Sequence, residues 1–203
     1  SRSSKCYTGF KVRFILMIVS DYSLYYIGVM MDRKEKIMQA SIQLFVERGF
    51  HNTSTRMIAE QAGVSEGLIF RHFRSKDELL DSLLQQGADE MYQAVAEIIS
   101  EHDPKDFLSK LVDSFFDIPS DRFNYWRLRS QIQSIRTEWE PEEWERYLRE
   151  GVLRMFKEMG FSKFELEAEL LYQSLSGIRD GIVRGQIHDP EALRELVKKK
   201  YRL

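Results

Sequence analysis

Between Thr53 and Phe73 the apolar pattern defines two consecutive helices of about seven to eight residues each, and helices that short cannot bury a core alone. They must lean on a neighbour. The preceding segment supplies it: Ile37, Ala40, Leu44 and Phe45 recur at helical spacing, while Lys36, Gln43 and Glu47 fall on the opposite face. Asp32 with Glu35 reads as a capping box at its start, and Gly49 stops it. Thr53 and Ser54 then cap the first short helix, whose Ile58 and Ala59 turn inward. Ala62 and Gly63 permit a tight turn, Val64 plugs the angle, and Ser65 caps the second short helix ahead of Phe73. This spacing predicts a helix-turn-helix, which sets its second helix into the major groove of DNA.

Downstream, Ser75 and Glu78 form another capping box, opening a long helix through Leu79, Leu80 and Leu83 towards Ile99. Asp103-Pro104, Glu140-Pro141, Ser162 with Glu165, and Asp189-Pro190 mark further starts, and Gly160 and residues 185–188 mark stops. With a break at 117–121, about nine helices result. The expected fold is all-α, an N-terminal three-helix DNA-binding domain followed by a larger C-terminal helical bundle. Residues 31–78 are assigned to the first and 79–203 to a ligand-binding and dimerisation domain. Residues 1–30 form an atypical extension, read as upstream translation or a cloning scar, with an extra packed strand or helix as the alternative.

The formal net charge of -2 is unevenly spread. From Arg33 to Lys76 there are eight basic and four acidic residues, against eighteen and twenty-four after Glu78. A local positive face fits this distribution, and non-specific coating of DNA does not. Cys6 has no second cysteine to pair with, and a reducing, cytoplasmic setting follows. Lys5, Lys11 and Arg13 before the apolar run 14–19 resemble a signal-peptide start, but that run falls short of a membrane span of ~20 residues. His51, His72, His102 and His188 are scattered without metal-ligand spacing, and no phosphate-binding or nucleophile-elbow motif occurs. No enzyme activity, metal or cofactor is expected; a helical protein-interaction module is the other non-enzymatic reading.

The candidate DNA-contacting residues are Thr53, Ser54, Arg56, Ser65, Glu66, Gly67, Leu68, Phe70, Arg71, His72 and Lys76. Gly67 lets the backbone approach DNA closely, Arg71 donates to phosphate or a guanine edge, and Glu66 accepts from cytosine. Arg56 and Lys76 serve placement on the phosphates. Ile58, Phe70 and Phe73 are expected to pack.

Gly49-Phe50, Thr53-Ser54, Ile58-Ala59, Ala62-Gly63-Val64-Ser65, Gly67, Phe70, Phe73 and Ser75-Lys76-Asp77-Glu78-Leu79 together resemble the TetR family of bacterial transcriptional regulators. The resemblance runs from about Lys34 to Leu84. It implies a ligand-responsive, dimeric regulator, a repressor in the family's usual direction with activation as the alternative, released from operator DNA by a small effector. It also places the family's phosphate-contacting lysine on Lys76. Phe70 stands where many members carry Tyr, and Leu68 where Thr is frequent, which removes two polar contacts.

A symmetric dimer would set two recognition helices on an inverted-repeat operator. The candidate interface is Leu166, Leu170, Ser174, Gly177, Ile178, Gly181 and Ile182, with Leu193, Leu196 and Val197 adding a second stripe; an intrachain core leaves the same pattern. An apolar or aromatic effector is expected among Phe115, Phe116, Trp126, Trp144, Tyr147, Met155 and Tyr172, oriented by Arg129, Gln133 or Arg179.

Overall fold

Helix ends are where the chain's local chemistry is most explicit. In the computed structural model, which describes residues 32–135 and 142–203, they fall close to the capping residues. The order is α1 (Arg33–Arg48), α2 (Thr55–Ala62), α3 (Glu66–His72), α4 (Lys76–Ile99), α5 (Pro104–Phe116), a 3-10 turn (Ser120–Arg122), α6 (Phe123–Ile135), α7 (Glu143–Glu158), α8 (Phe164–Val183) and α9 (Pro190–Tyr201). The expectations for Cys6, the 14–19 run and the Glu140-Pro141 start lie outside the described residues.

Ser54 Oγ accepts from the Met57 amide at 3.2 Å and Ser75 Oγ from Glu78 at 3.0 Å. Asp103 accepts from Lys105 and Asp106, and Asp189 from Ala192. Each bond satisfies an amide that the first helical turn leaves without a partner. Three starts differ from expectation, that of α3 because Ser65 makes no side-chain cap bond. The Glu78 carboxylate reaches past Ser75 to the Arg74 amide at 3.0 Å. The helix expected from Ser162 is capped at Lys163. Gly63 ends α2 at φ 65°, the left-handed conformation that a side chain resists.

Residues Arg33–Leu203 form one compact unit. α2 and α3 pack on α1, and α1 also lies against α4 and α6. A Gln131 side-chain N–H of α6 donates to the Val46 carbonyl of α1 at 3.2 Å, tying the two sides together. Beyond α1, α5 packs against α7, α8 and α9, and α4 against α7. Phe107, Leu108, Leu111, Leu128, Phe156 and Leu175 are fully buried there. Gly87 sets the crossing of α4 and α6: a Cβ placed on it would collide with the Tyr125 ring.

Gly87→Ala therefore forces that ring or its helix to move. Overpacking of this kind costs about 1–3 kcal/mol, read as a lowered midpoint in denaturant unfolding.

Candidate nucleic-acid interface and effector cavity

α3 is held by its apolar side. Ile69 is fully buried, Leu68 is half-buried against the core, and Phe73 is buried just past the helix end. Ser65, Glu66, Gly67, Phe70, Arg71 and His72 all remain exposed. Ser65 occupies the N-cap position without making a side-chain cap bond. A Cβ on Gly67 would meet nothing within 4 Å, so the chain's own packing does not demand glycine there. Phe70 corrects the packing expectation: at 50% exposed it projects from the same side as Gly67 and Arg71. The helix needs one apolar edge to seat it, and Ile69 and Leu68 already fill that edge.

Two other expected contacts have internal work. Thr53 is buried, and its hydroxyl meets the Leu44 carbonyl at 3.2 Å and the Gly49 carbonyl at 2.9 Å, locking the α1–α2 loop. It is withdrawn as a DNA contact, because its polar atom is spent inside. The Lys76 ammonium donates to the Phe50 and Thr53 carbonyls at 2.7 and 2.8 Å and lies 4.3 Å from the Phe50 ring centroid. Two of its three N–H groups thus clamp the same loop, leaving it mainly a positioning residue. Leu68 is likewise largely a seat. Ser54 caps α2, Arg56 pairs with Glu60 at 3.1 Å on the surface, and Glu66 accepts from the Thr55 hydroxyl at 2.5 Å.

The second site is a cavity of about 370 Å³ among α4, α5, α6, α7 and α8. Of the expected lining, Phe115, Trp126, Trp144 and Arg179 do line it. Six do not. Arg129 is buried beside the cavity, pairing with Glu145 at 2.6 Å, and Tyr172 donates to the same carboxylate at 2.9 Å. Burial, followed by the Glu145 charge, drives the Tyr172 phenol well above its ordinary range. Met155 and Phe116 are core residues, the latter with Arg194 over its ring. Tyr147 is exposed, donating to Glu143 at 2.9 Å, and Gln133 lies off the lining. Sequence reading missed Met91, Ala94, Val95 and Ile98 of α4, which supply much of the apolar wall. Their spacing along one helical face carried that signal.

The expected dimer stripe divides. Leu166, Leu170 and Leu196 are 66, 48 and 61% exposed, and Ser174 and Gly177 are exposed with them. Ile178, Ile182, Leu193 and Val197 pack partly against the chain's own core. Gly181 is removed from the interface: it is buried, and a Cβ there would strike the Ile187 side chain at 2.9 Å. Among the described residues, no helix is long and apolar enough to cross a membrane, and no cluster of His, Cys, Asp and Glu is arranged to hold a metal.

Residues 37–83 match the family of bacterial regulatory proteins, tetR family. The chain is 35% identical over 94 residues to the HTH-type transcriptional regulator BetI of Proteus mirabilis, covering 45% of this chain and 47% of that protein. It is 33% identical over 87 residues to the HTH-type transcriptional activator FasR of Mycolicibacterium smegmatis, covering 42% and 40%. The match thus spans under half the length of these curated relatives. A transcriptional regulator from Saccharomonospora viridis, solved with choline, shares the fold at TM-score 0.66 and 19% identity, over 82% of this chain and 93% of that one.

Gly67→Ala separates folding from contact. Removing a helical glycine should leave stability unchanged or raise it by about 0.5–1 kcal/mol, while affinity for a selected duplex drops about tenfold in a titration, since a methyl group blocks close approach. A loss of stability would show that the glycine serves the fold instead.

Proposed function

We propose that this chain, which belongs to the tetR family of bacterial regulatory proteins through residues 37–83, is a ligand-responsive transcriptional regulator. It binds an inverted-repeat duplex site as a homodimer in the cytoplasm, and a small effector in the α4–α8 cavity releases it. One observation carries the reading: α3 is seated by Ile69 while Gly67, Phe70 and Arg71 are left exposed, and among the described residues nothing would meet a Cβ on Gly67. Arg71 is suited to a guanine edge or a phosphate, and Phe70 to the methyl group of thymine. Placement on the backbone falls to Ser54, Arg56 and the exposed amides near the start of α2.

A single short recognition helix makes too little contact for useful specificity, so two copies are required. The exposed Leu166, Leu170 and Leu196, flanked by Ser174 and Gly177, form the face proposed to pair with a second copy. Such a face is self-complementary about a twofold axis. Release works through differential affinity: the effector favours one arrangement of the bundle, and in that arrangement the two α3 helices no longer match successive grooves. α6 lines the cavity through Trp126 and touches α1 through Gln131, giving the change a packed route to α3. Repression is the proposed direction.

Selection from random duplex DNA should enrich an inverted repeat whose half-sites lie about 34 Å apart or a multiple of it; no enrichment would overturn the reading. Leu166→Glu with Leu170→Glu should sediment as a monomer and lose operator affinity on the order of a hundredfold, with α3 intact.

A further inference from the structure

The cavity is walled by Met91, Val95, Ile98, Ile118 and Leu148, but two donors with little to do, on Arg179 and Trp144, belong to the same lining. Arg179 lines the cavity at 5% exposure. Its acceptor among the described residues is its chain neighbour Asp180, met by Nε and Nη2 at 3.4 Å each, the long edge of hydrogen bonding. The other Asp180 oxygen is held by the Ser130 hydroxyl at 2.7 Å. A guanidinium has five N–H groups, so most of its capacity is left over. The Trp144 indole N–H, also buried on the lining, has no acceptor among the described residues. Both residues neighbour Trp126: Arg179 lies 3.9 Å from that ring's centroid, and the Trp144 ring lies 6.2 Å from it.

The acids on the lining are already engaged. Glu90 pairs with Arg122, and Asp117 pairs with Arg194. Nor are the rings free to hold a cation. Arg179 and Arg129 already lie over Trp126, Arg129 lies over Trp144 at 5.3 Å, and Arg179 lies over Phe115 at 5.5 Å. A quaternary ammonium would compete with two guanidinium groups for those faces and be repelled by them. Burial also pulls the Arg179 pKa downward, the mark of a charge that lacks full compensation.

From this arrangement we propose that the effector is an amphipathic anion, a carboxylate on an apolar chain, whose head accepts from Arg179 and the Trp144 indole while its tail lies along α4. The inference rests on the regulator reading for its biological meaning, but its chemistry stands on the cavity alone. A charge-assisted bond from a buried arginine is worth tenfold or more in affinity, about 1.5–3 kcal/mol.

The test titrates the full chain, without DNA, with decanoate, decan-1-ol and decyltrimethylammonium, reading the fluorescence of the tryptophans that line the cavity. Decanoate should bind at least about tenfold more tightly than the alcohol, and the ammonium most weakly. Arg179→Gln should bring decanoate and decanol to near parity, and Arg179→Lys should restore part of the preference. Parity in the unmodified chain, preference for the ammonium, or no saturable decanoate binding would each overturn the proposal. Should Arg179→Gln fail to fold, the ligand series on the unmodified chain still decides. Because operator selection is measured separately, a chain that selects an inverted repeat yet ignores decanoate rejects the anion and keeps the regulator; the converse rejects the regulator alone.

Discussion

Everything in this molecule hangs on α1 being a shared support. α2 and α3 are too short to persist unsupported, and they take their position from the buried face of α1 formed by Ile37, Ala40, Leu44 and Phe45. The same helix leans on α6, where Gln131 closes a hydrogen bond to its Val46 carbonyl. α3 and the cavity are thus connected through the packed helices α1 and α6. In such close-packed contacts a displacement at one end is passed on and not absorbed.

Polar side chains around α2 and α3 divide into those that build the fold and those that face outward. Thr53 and Lys76 direct their donors to carbonyls of α1 and of the α1–α2 loop, holding the entry to α2 where Ser54 caps it. An unsatisfied carbonyl in a half-buried loop would be costly, so these bonds stabilise a turn that would otherwise hold no fixed shape. Arg71 and Phe70 instead face outward, Phe70 half exposed. The same logic applies in the bundle. Glu145 gathers Arg129 and Tyr172 into a buried network by short bonds, while Arg179 next to it is only loosely met.

The helices were legible because their ends are local chemistry. Ser54, Ser75, Asp103 and Asp189 cap through amides two or three residues away, and Gly63 ends its helix by its own backbone angle, so no distant contact is needed to read them. Rotation of each helix about its axis was far less legible. An aromatic stripe on α5, α6 and α7 shows that a face is apolar, but not whether Met155 or Trp144 on that face meets a neighbour or a void. Phe70 departs from the packing its sequence suggests for the same reason: hydrophobicity marks a capacity for burial, and only the position of Ile69 shows that the seat is filled.

The amino-acid order by itself determined the all-α character, the short-helix pair and its turn, because caps, glycine stops and apolar periodicity act over a few residues. Tertiary structure alone decided that Thr53 and Lys76 face inward, that Gly181 makes room for Ile187, and that Arg179 and Trp144 line one cavity. These depend on which residues far apart in the chain come within a few ångströms, and that is set by the joint packing of several helices.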